Sequence, residues 1–223
     1  MQVVNERVGL DLLAERDEGY GGKSRASVIS RLRPPLGDVL DIGCGEGGSA
    51  DALRAHGATS LTGVELSPEF AEVAQGRYDE VAVGSTEEVL GAFEPESFDV
   101  ILCYDVLEHL YDPWSVLTAL RPLLRPDGRL QISVPNARHK DVWIPLVLGG
   151  TFNYQSAGLM DVTHIRFFGL RDVVKATQAA GFCVLSAGGP PPGSLKRRIA
   201  YRLTGGRAAE FVTAQWYVVA TPA

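Results

Sequence analysis

The sequence alternates, from Asp38 onward, between short apolar runs and segments with helical periodicity. The apolar runs are rich in Val, Ile and Leu and predict strands near residues 38–43, 61–65, 80–84, 98–104 and 128–134. Helices are predicted between them, over residues 48–56, 68–76, 113–124 and a short stretch from residue 86. Continuously apolar strands joined by crossover helices are typical of a parallel sheet that is buried on both faces. The predicted fold class is therefore α/β.

This regular pattern is lost after Asn136. Residues 137–168 contain several aromatic residues and glycines without a regular spacing, and a loop of this length usually has a function, such as a lid over a site. A helix is predicted over residues 170–180, and strands over 182–187 and 211–220. Residues 1–33 are predicted to be helical and to cover the sheet edge or the site.

The size and the charge of the chain limit its possible functions. Its 223 residues suit one domain, 1–223, because about 150 residues per domain leave no room for a second full core. The formal net charge is −6, so the chain as a whole has no positive field that attracts a phosphate backbone. A nucleic-acid substrate is therefore disfavoured.

Three features point to the cytoplasm. The cysteines at positions 44, 103 and 183 lie far apart in apolar runs and are predicted to be reduced core residues. The N-terminal residues have scattered charges and lack the apolar run of a secretory signal. The apolar stretch 142–148 is far shorter than the roughly 20 residues of a membrane span. We therefore expect a cytoplasmic protein without a transmembrane segment.

A glycine-rich turn at residues 43–48 connects the first predicted strand to a helix. Glycines allow a tight turn and allow a ligand to approach the backbone N–H groups at the start of the helix. The next strand ends at Glu65, 24 residues after Asp41, where a carboxylate can accept hydrogen bonds from both hydroxyls of a ribose. Dinucleotide sites share these two features, so together they leave the ligand open.

The string VLDIGCGEG, residues 39–47, resembles motif I of class I S-adenosylmethionine-dependent methyltransferases. Further matches follow in FDVILCYDVLEHL, residues 98–110, and LRPLLRPDGRLQISVPN, residues 120–136. The resemblance implies a doubly wound, mostly parallel seven-stranded sheet with an antiparallel last strand. It also implies that residues 38–136 bind S-adenosyl-L-methionine and that the chain is an enzyme.

The resemblance assigns roles to individual residues. Asp41 would orient the methionine end of the cofactor, which Gly43 and Gly45 would line, while Glu65 would hold the ribose. The other cofactor contacts expected are Cys44, Leu66, Ser85, Thr86, Tyr104 and Tyr20. The family commonly has an acid near the adenine after the third strand, whereas this chain has Gly84, Ser85 and Thr86 there. Hydroxyl or backbone groups would then contact the adenine.

Asp105, Glu108 and His109 follow the fourth predicted strand, and one helical turn would bring the three side chains toward the strand ends. Such groups can ligate a divalent ion or supply a general base. With His164, this pattern is similar to the metal site of small-RNA 3′-terminal 2′-O-methyltransferases, and the Glu-His pair also occurs in ubiquinone-pathway O-methyltransferases. The ligands of Mg²⁺ or another divalent cation would then be Asp105, Glu108, His109 and His164. The first ligand is often Glu in those relatives, and the shorter Asp departs from that pattern.

The hypothesis with the most support is O-methylation of a hydroxyl, with a metal bound to a vicinal diol. Residues 158–182 resemble a broad group of bacterial methyltransferases that is often found beside glycan and secondary-metabolite genes, so a small-molecule or sugar-bearing acceptor is expected. One alternative is a metal-free O- or N-methyltransferase with His109 or His164 as the base. A non-catalytic S-adenosylmethionine-binding protein and a dehydrogenase are alternatives of other classes. The polar groups at 105–109 favour an enzyme.

A basic insertion at residues 189–210 lies between the last two predicted strands. Its basic residues, interleaved with Ile199, Tyr201 and Leu203, are Lys196, Arg197, Arg198, Arg202 and Arg207. A short basic amphipathic helix of this kind can lie on a membrane surface. We therefore expect weak membrane-surface contact through residues 194–207.

Overall fold

The computed structural model describes residues 25–30, 32–190 and 210–223. Its helices are α1 Ala26–Ile29, α2 Ala50–Ala55, α3 Pro68–Ala74, α4 Thr86–Val89, α5 Pro113–Leu120, α6 Lys140–Gly149 and α7 Leu170–Ala179. Its strands are β1 Gly37–Ile42, β2 Ala58–Glu65, β3 Glu80–Val83, β4 Phe98–Tyr104, β5 Leu124–Pro135, β6 Phe182–Gly188 and β7 Gln215–Pro222. Tyr20 and the basic stretch 194–207 lie outside the described residues.

The seven strands form one sheet in the order β3-β2-β1-β4-β5-β7-β6. All pairs from β3 to β5 are parallel, while β7 runs antiparallel to both β5 and β6. The predicted mostly parallel sheet with an antiparallel last strand is confirmed. The strand order reverses at β1 and β4, and in such sheets ligands bind outside the carboxyl ends of the strands at that point.

Both faces of the sheet are covered by apolar clusters, which explains why the strands are continuously apolar. In β1, Leu40 and Ile42 belong to the cluster that includes α5 and α7 residues. Val39 points to the other face and packs with Ile29 of α1 and Leu53 of α2. Because consecutive side chains of a strand alternate between faces, burying both faces leaves few positions for polar residues.

The boundaries of β5 differ from the prediction. The helix α5 begins as expected, with Asp112 accepting a hydrogen bond of 3.0 Å from the backbone N–H of Ser115. A 3-10 turn at Arg121–Leu123 follows it, and β5 starts at Leu124 instead of residue 128. Pro126 and Gly128 disfavour a strand interior, and they lie where the pairing of β4 with β5 is irregular. For this reason the sequence pattern did not predict the first part of β5.

The prediction that residues 137–168 lack regular structure is wrong for α6. This helix contains Pro145, and its apolar residues are continuous from 142 to 148. Only Val142 is buried, while Val147 and Leu148 are 68% and 79% exposed. An amphipathic pattern requires polar residues on the exposed face, so the sequence of α6 gave no helical signal.

The prediction that all three cysteines are core residues is wrong for Cys183. Cys44 and Cys103 are buried and free, whereas Cys183 is free and exposed. It lies on β6, the edge strand of the sheet, where one face has less cover.

Among residues 25–190 and 210–223, none of the helices combines the length and the apolar composition needed to cross a bilayer.

Candidate functional site

A cavity of about 520 Å³ lies at the carboxyl ends of β1, β2 and β4. Within the ranges that the structure covers, every residue predicted to contact the cofactor lines this cavity. They are Asp41, Gly43, Cys44, Gly45, Glu65, Leu66, Ser85, Thr86, Tyr104. The cavity thus lies at the reversal point of the strand order, as the motif positions imply.

The glycine turn brings the backbone to the wall of this cavity. Gly43 and Gly45 have φ angles of 68° and 57°, which favour glycine over any residue with a side chain. The N–H groups of Gly43 and Cys44 both donate to the carbonyl of Val64, at 2.8 and 3.1 Å. A Cβ at Gly43 would lie 2.9 Å from Cγ2 of Val106, so both conformation and space select glycine there.

The carboxylate of Glu65 is held by two backbone N–H groups. Gly45 donates to Oε2 at 2.8 Å, and Ser67 donates to Oε1 at 2.9 Å. An ionised carboxylate has about four acceptor positions, so each oxygen can accept one further hydrogen bond. The side chain is therefore oriented to receive two hydroxyl groups of a ligand.

Asp41 is a buried acid at the end of β1. The hydroxyl of Tyr78 donates to its Oδ2 at 2.6 Å. Burial raises the pKa of Asp41 to about 6, against the opposing effects of the Tyr78 hydrogen bond and the charge of Arg25. The same burial raises the pKa of Tyr78. At neutral pH, Asp41 is therefore an anion that a cationic ligand stabilises.

Arg25 also lines the cavity, and the sequence offered no motif that would have identified it. Its guanidinium pairs with Asp105 and lies over the ring of Tyr104, 5.7 Å from the centroid. Burial disfavours its charge, but Asp105 and Asp41 raise its pKa above the ordinary value. Arg25 precedes α1, so the described end of the predicted N-terminal cover reaches the cavity.

Asp105 does not join the other three predicted metal ligands. Besides Arg25, it accepts hydrogen bonds from Gln215 and from Ser133, the latter at 3.0 Å. Its φ is 54°, and the residues after it form a 3-10 turn at Leu107–His109. The expected helical turn is therefore absent, and the Asp105 side chain faces a different set of partners.

Glu108, His109 and His164 form a cluster beside the cavity. One candidate ligand atom from each of the three lies within 4.8 Å of the other two. The two imidazole rings meet edge to face, with centroids 4.8 Å apart. The backbone N–H groups of Ile165 and Arg166 both donate to the carbonyl of Glu108, at 2.9 and 3.0 Å. These bonds bring the distant His164 to the 3-10 turn.

Glu108 is a buried acid without a hydrogen-bond partner for its carboxylate. Its residue is 1% exposed, and neither carboxylate oxygen has a hydrogen-bond partner among the residues described. Burial raises the pKa of Glu108 well above its ordinary value, and the negative charge of Asp105 raises it further, against the opposing charge of Arg25. Buried charges are normally paired or bound to a metal, so this carboxylate can hold its charge when a cation binds.

In both histidines of the cluster, Nδ1 faces a backbone carbonyl. Nδ1 of His109 lies 3.2 Å from the carbonyl oxygen of Thr163, and Nδ1 of His164 lies 3.2 Å from that of Leu159. Since a carbonyl only accepts, these contacts favour a proton on Nδ1 and a lone pair on Nε2 of the neutral ring. Each ring therefore has a nitrogen suited to bind a metal or to accept a proton.

The aromatic residues of the segment 137–168 contact one another. Phe152 stacks with Tyr154 and with Phe167, at centroid distances of 5.9 and 6.0 Å, and Trp143 meets Phe211 at 6.1 Å. All of them are at least 37% exposed. The structure therefore places these aromatic side chains on the surface.

A sequence model of the family described as "Methyltransferase domain" matches residues 19–187. The chain is 29% identical over 187 residues to "Ubiquinone biosynthesis O-methyltransferase" of Aeromonas salmonicida, covering 82% of this chain and 72% of that protein. It is 37% identical over 134 residues to the protein of the same name from Albidiferax ferrireducens, covering 55% of this chain and 51% of that protein. The chain thus spans about half the length of this second relative.

The fold also resembles solved structures. The crystal structure of a SAM dependent methyltransferase from Archaeoglobus fulgidus superimposes with a TM-score of 0.66 and 18% sequence identity. The superposition covers 92% of this chain and 97% of that one. At this identity the likeness concerns the fold.

Proposed function

Since the chain belongs to the methyltransferase-domain family and is an S-adenosylmethionine-dependent methyltransferase, we propose that it methylates a hydroxyl of a small-molecule or sugar-bearing acceptor. The observation that carries this proposal is the cluster of Glu108, His109 and His164 beside the cavity. It contains groups that O-methylation can use: an imidazole that could accept the hydroxyl proton, and side chains that could instead bind a cation. The names of the relatives refer to O-methyl transfer as well.

The donor end of the cavity suits S-adenosylmethionine. Glu65 has two acceptor positions for the ribose hydroxyls, and the buried Asp41 provides a negative charge for the methionine amine. Arg25 provides a positive charge for the methionine carboxylate. The bound donor supplies an electrophilic methyl group on a positively charged sulfur. The amine and the carboxylate of the methionine end would thus each meet an opposite charge of the protein.

The transfer is a displacement at the methyl carbon. The acceptor oxygen forms a bond to this carbon while the carbon–sulfur bond breaks, and the bonding pair stays on the sulfur. In the metal-free mechanism, the hydroxyl proton passes to Nε2 of His109, whose neutral ring has its lone pair there when Nδ1 carries the proton. An imidazole with a pKa near neutrality is suited to this role.

The cluster also fits a divalent cation. Each imidazole has Nδ1 facing a carbonyl oxygen, which is how hydrogen bonds to the backbone orient histidine ligands of metals. The buried carboxylate of Glu108 has no hydrogen-bond partner among the residues described and could ligate the same ion. A bound cation would lower the pKa of the acceptor hydroxyl. Two nitrogens and one carboxylate form a softer set than the oxygen shell that Mg²⁺ prefers. We therefore include Mn²⁺ and Zn²⁺ beside Mg²⁺ as candidates.

Calorimetry on chelated protein tests the cation site, with Mg²⁺, Mn²⁺ and Zn²⁺ titrated separately. We expect one ion per chain for the wild type and for His56→Gln, and loss of binding in His164→Gln. His56 is a suitable control because its ring contacts Ala52 on α2, away from the cavity. If no ion binds to the wild type, the metal proposal is overturned.

Measurements of turnover distinguish the metal-dependent mechanism from the metal-free one. Release of S-adenosylhomocysteine is measured with catechol, with simple vicinal diols and with a glycan extract, before and after chelation. Activity that is lost on chelation supports the metal. Activity that survives chelation but is lost in His109→Gln supports the metal-free base. Donor binding without turnover on any of these acceptors would support the alternative of a non-catalytic binding protein.

We also propose weak contact of residues 194–207 with an anionic membrane surface. Residues 189–209 contain five basic and no acidic side chains. Phe211, shortly after these residues in the sequence, contacts Trp143 of α6. The exposed Val147 and Leu148 of the same helix supply apolar area of the kind that a membrane surface binds.

A further inference from the structure

Thr163 connects His109 to a buried acid that the proposed mechanism does not use. Its hydroxyl oxygen lies 3.0 Å from Nδ1 of His109 and 2.7 Å from Oδ1 of Asp161. The backbone N–H of Thr163 donates to the same oxygen of Asp161 at 2.9 Å. Asp161 is 1% exposed, while Thr163 lines the cavity. The three side chains therefore form a chain from the interior to the site.

The directions of these hydrogen bonds are fixed by chemistry. An ionised carboxylate only accepts, so the Thr163 hydroxyl donates its single proton to Asp161. Its oxygen then faces Nδ1 of His109 as an acceptor. The carbonyl of Thr163 is a second acceptor for the same Nδ1. Both acceptors favour a proton on Nδ1.

We propose that Asp161 and Thr163 are positioning residues that hold His109 in its Nδ1–H tautomer, with the Nε2 lone pair directed at the reacting groups. This inference rests on the proposed role of His109. Without Asp161, the hydroxyl of Thr163 would be free to rotate and donate to Nδ1. The ring would then carry its proton on Nε2, where it could neither bind a cation nor accept a proton.

Nitrogen NMR of the imidazoles tests the tautomer directly. The protein has four histidines, so His109→Gln assigns the signals of His109 in a chelated, acceptor-free sample at a pH where the ring is neutral. We expect a protonated Nδ1 in the wild type and in Thr163→Ser. In Thr163→Val, which keeps the shape but lacks the hydroxyl, we expect a measurable fraction of the Nε2–H tautomer. Asp161→Asn should lie between these two.

The functional readout uses the same variants. Loss of a partner that orients a metal ligand typically reduces affinity or activity 10- to 100-fold. We expect Thr163→Val to reduce kcat about tenfold and to weaken Mn²⁺ binding by a similar factor. The affinity for S-adenosylmethionine should stay within about twofold of the wild-type value, because Asp41 and Glu65 are unchanged. Thr163→Ser should restore both quantities.

The outcomes separate this inference from the proposed function. A wild-type His109 that carries its proton on Nε2, or a Thr163→Val protein with an unchanged tautomer and unchanged kcat, would overturn the inference. If the tautomer follows the variants as expected but His109→Gln leaves turnover unchanged, the positioning inference stands and the proposed catalytic role of His109 fails.

Discussion

The two ends of the cavity differ in how their carboxylates are held. At the donor end, Glu65 accepts two backbone hydrogen bonds and Asp41 accepts one from Tyr78. At the other end, Glu108 is buried and neither of its oxygens has a partner among the residues described. The donor end is therefore complete before a ligand binds. The acceptor end, at Glu108, has a carboxylate whose negative charge is disfavoured by burial until a cation binds.

Because of this difference, carboxylates at the two ends are expected to affect the stability of the fold in different ways. A carboxylate with partners contributes to the fold, and its loss weakens both the fold and ligand binding. A buried carboxylate without partners costs free energy in the empty protein. We therefore expect a buried carboxylate of this kind to contribute to ligand binding and not to the stability of the fold. Substitutions at the two ends should therefore have opposite signs for stability.

Glu108→Gln should have the largest effect. The amide keeps the shape but cannot become an anion, so we expect kcat to fall at least about 100-fold. We expect the thermal stability of the chelated protein at pH 8 to be equal or higher, because no charge has to be buried. Activity assays and thermal unfolding of the same preparation measure the two effects.

Glu65→Gln is the matched variant at the donor end. Its amide group would face a backbone N–H donor of Gly45 or Ser67, so we expect lower thermal stability and weaker donor binding. If Glu108→Gln also lowered the stability by more than about 1 kcal/mol, the carboxylate would have native partners and the contrast between the two ends would be lost.

Asp41→Asn should have an intermediate effect. Removing the negative charge that faces the donor amine should weaken donor binding about tenfold, which corresponds to about 1.4 kcal/mol. Isothermal titration with S-adenosylmethionine measures this effect, and ion binding at Glu108 should not change. An equal loss of ion binding would show that the two ends do not act separately.

The pH dependence of donor binding has a defined direction. The pKa of Asp41 is raised to about 6 by burial, with Tyr78, Arg25 and Glu65 facing it. An acid with a raised pKa gains a proton as the pH falls through that value, so donor affinity should decrease below about pH 6. Above it, the affinity should be constant. In Asp41→Asn this dependence should disappear, and an unchanged pH profile in that variant would assign the titration to another group.

The same contrast explains what the sequence could predict. The donor end is built from residues within a few positions of strand ends, so the motif at 39–47 and the strand ending at Glu65 were sufficient. Arg25, Asp161 and Thr163 reach the cavity only through tertiary contacts with residues far away in the chain. No local pattern marks such residues. Asp105 was assigned to the wrong partners because a 3-10 turn replaced the expected helical turn.

The secondary structure was predictable where the apolar residues of the sequence are also the buried residues of the fold. The strands β1 and β4 are buried on both faces, and their apolar runs gave nearly correct boundaries. The helix α6 has apolar residues on its exposed side, so the usual link between hydrophobicity and burial fails there. Its exposed apolar residues are therefore not part of the packed core.

The exposed side of α6 should give the smallest effect on stability. Leu148→Ser with Val147→Ser should change the free energy of unfolding by less than about 0.5 kcal/mol, because both side chains are mostly exposed. Donor binding should also be unchanged. Sedimentation with anionic vesicles at low salt should fall several-fold, while neutral vesicles sediment little of either protein. The control is Leu185→Ser, an exposed apolar residue on β6. If the α6 variant sediments with anionic vesicles as well as the wild type does, the exposed side of α6 has no part in membrane contact.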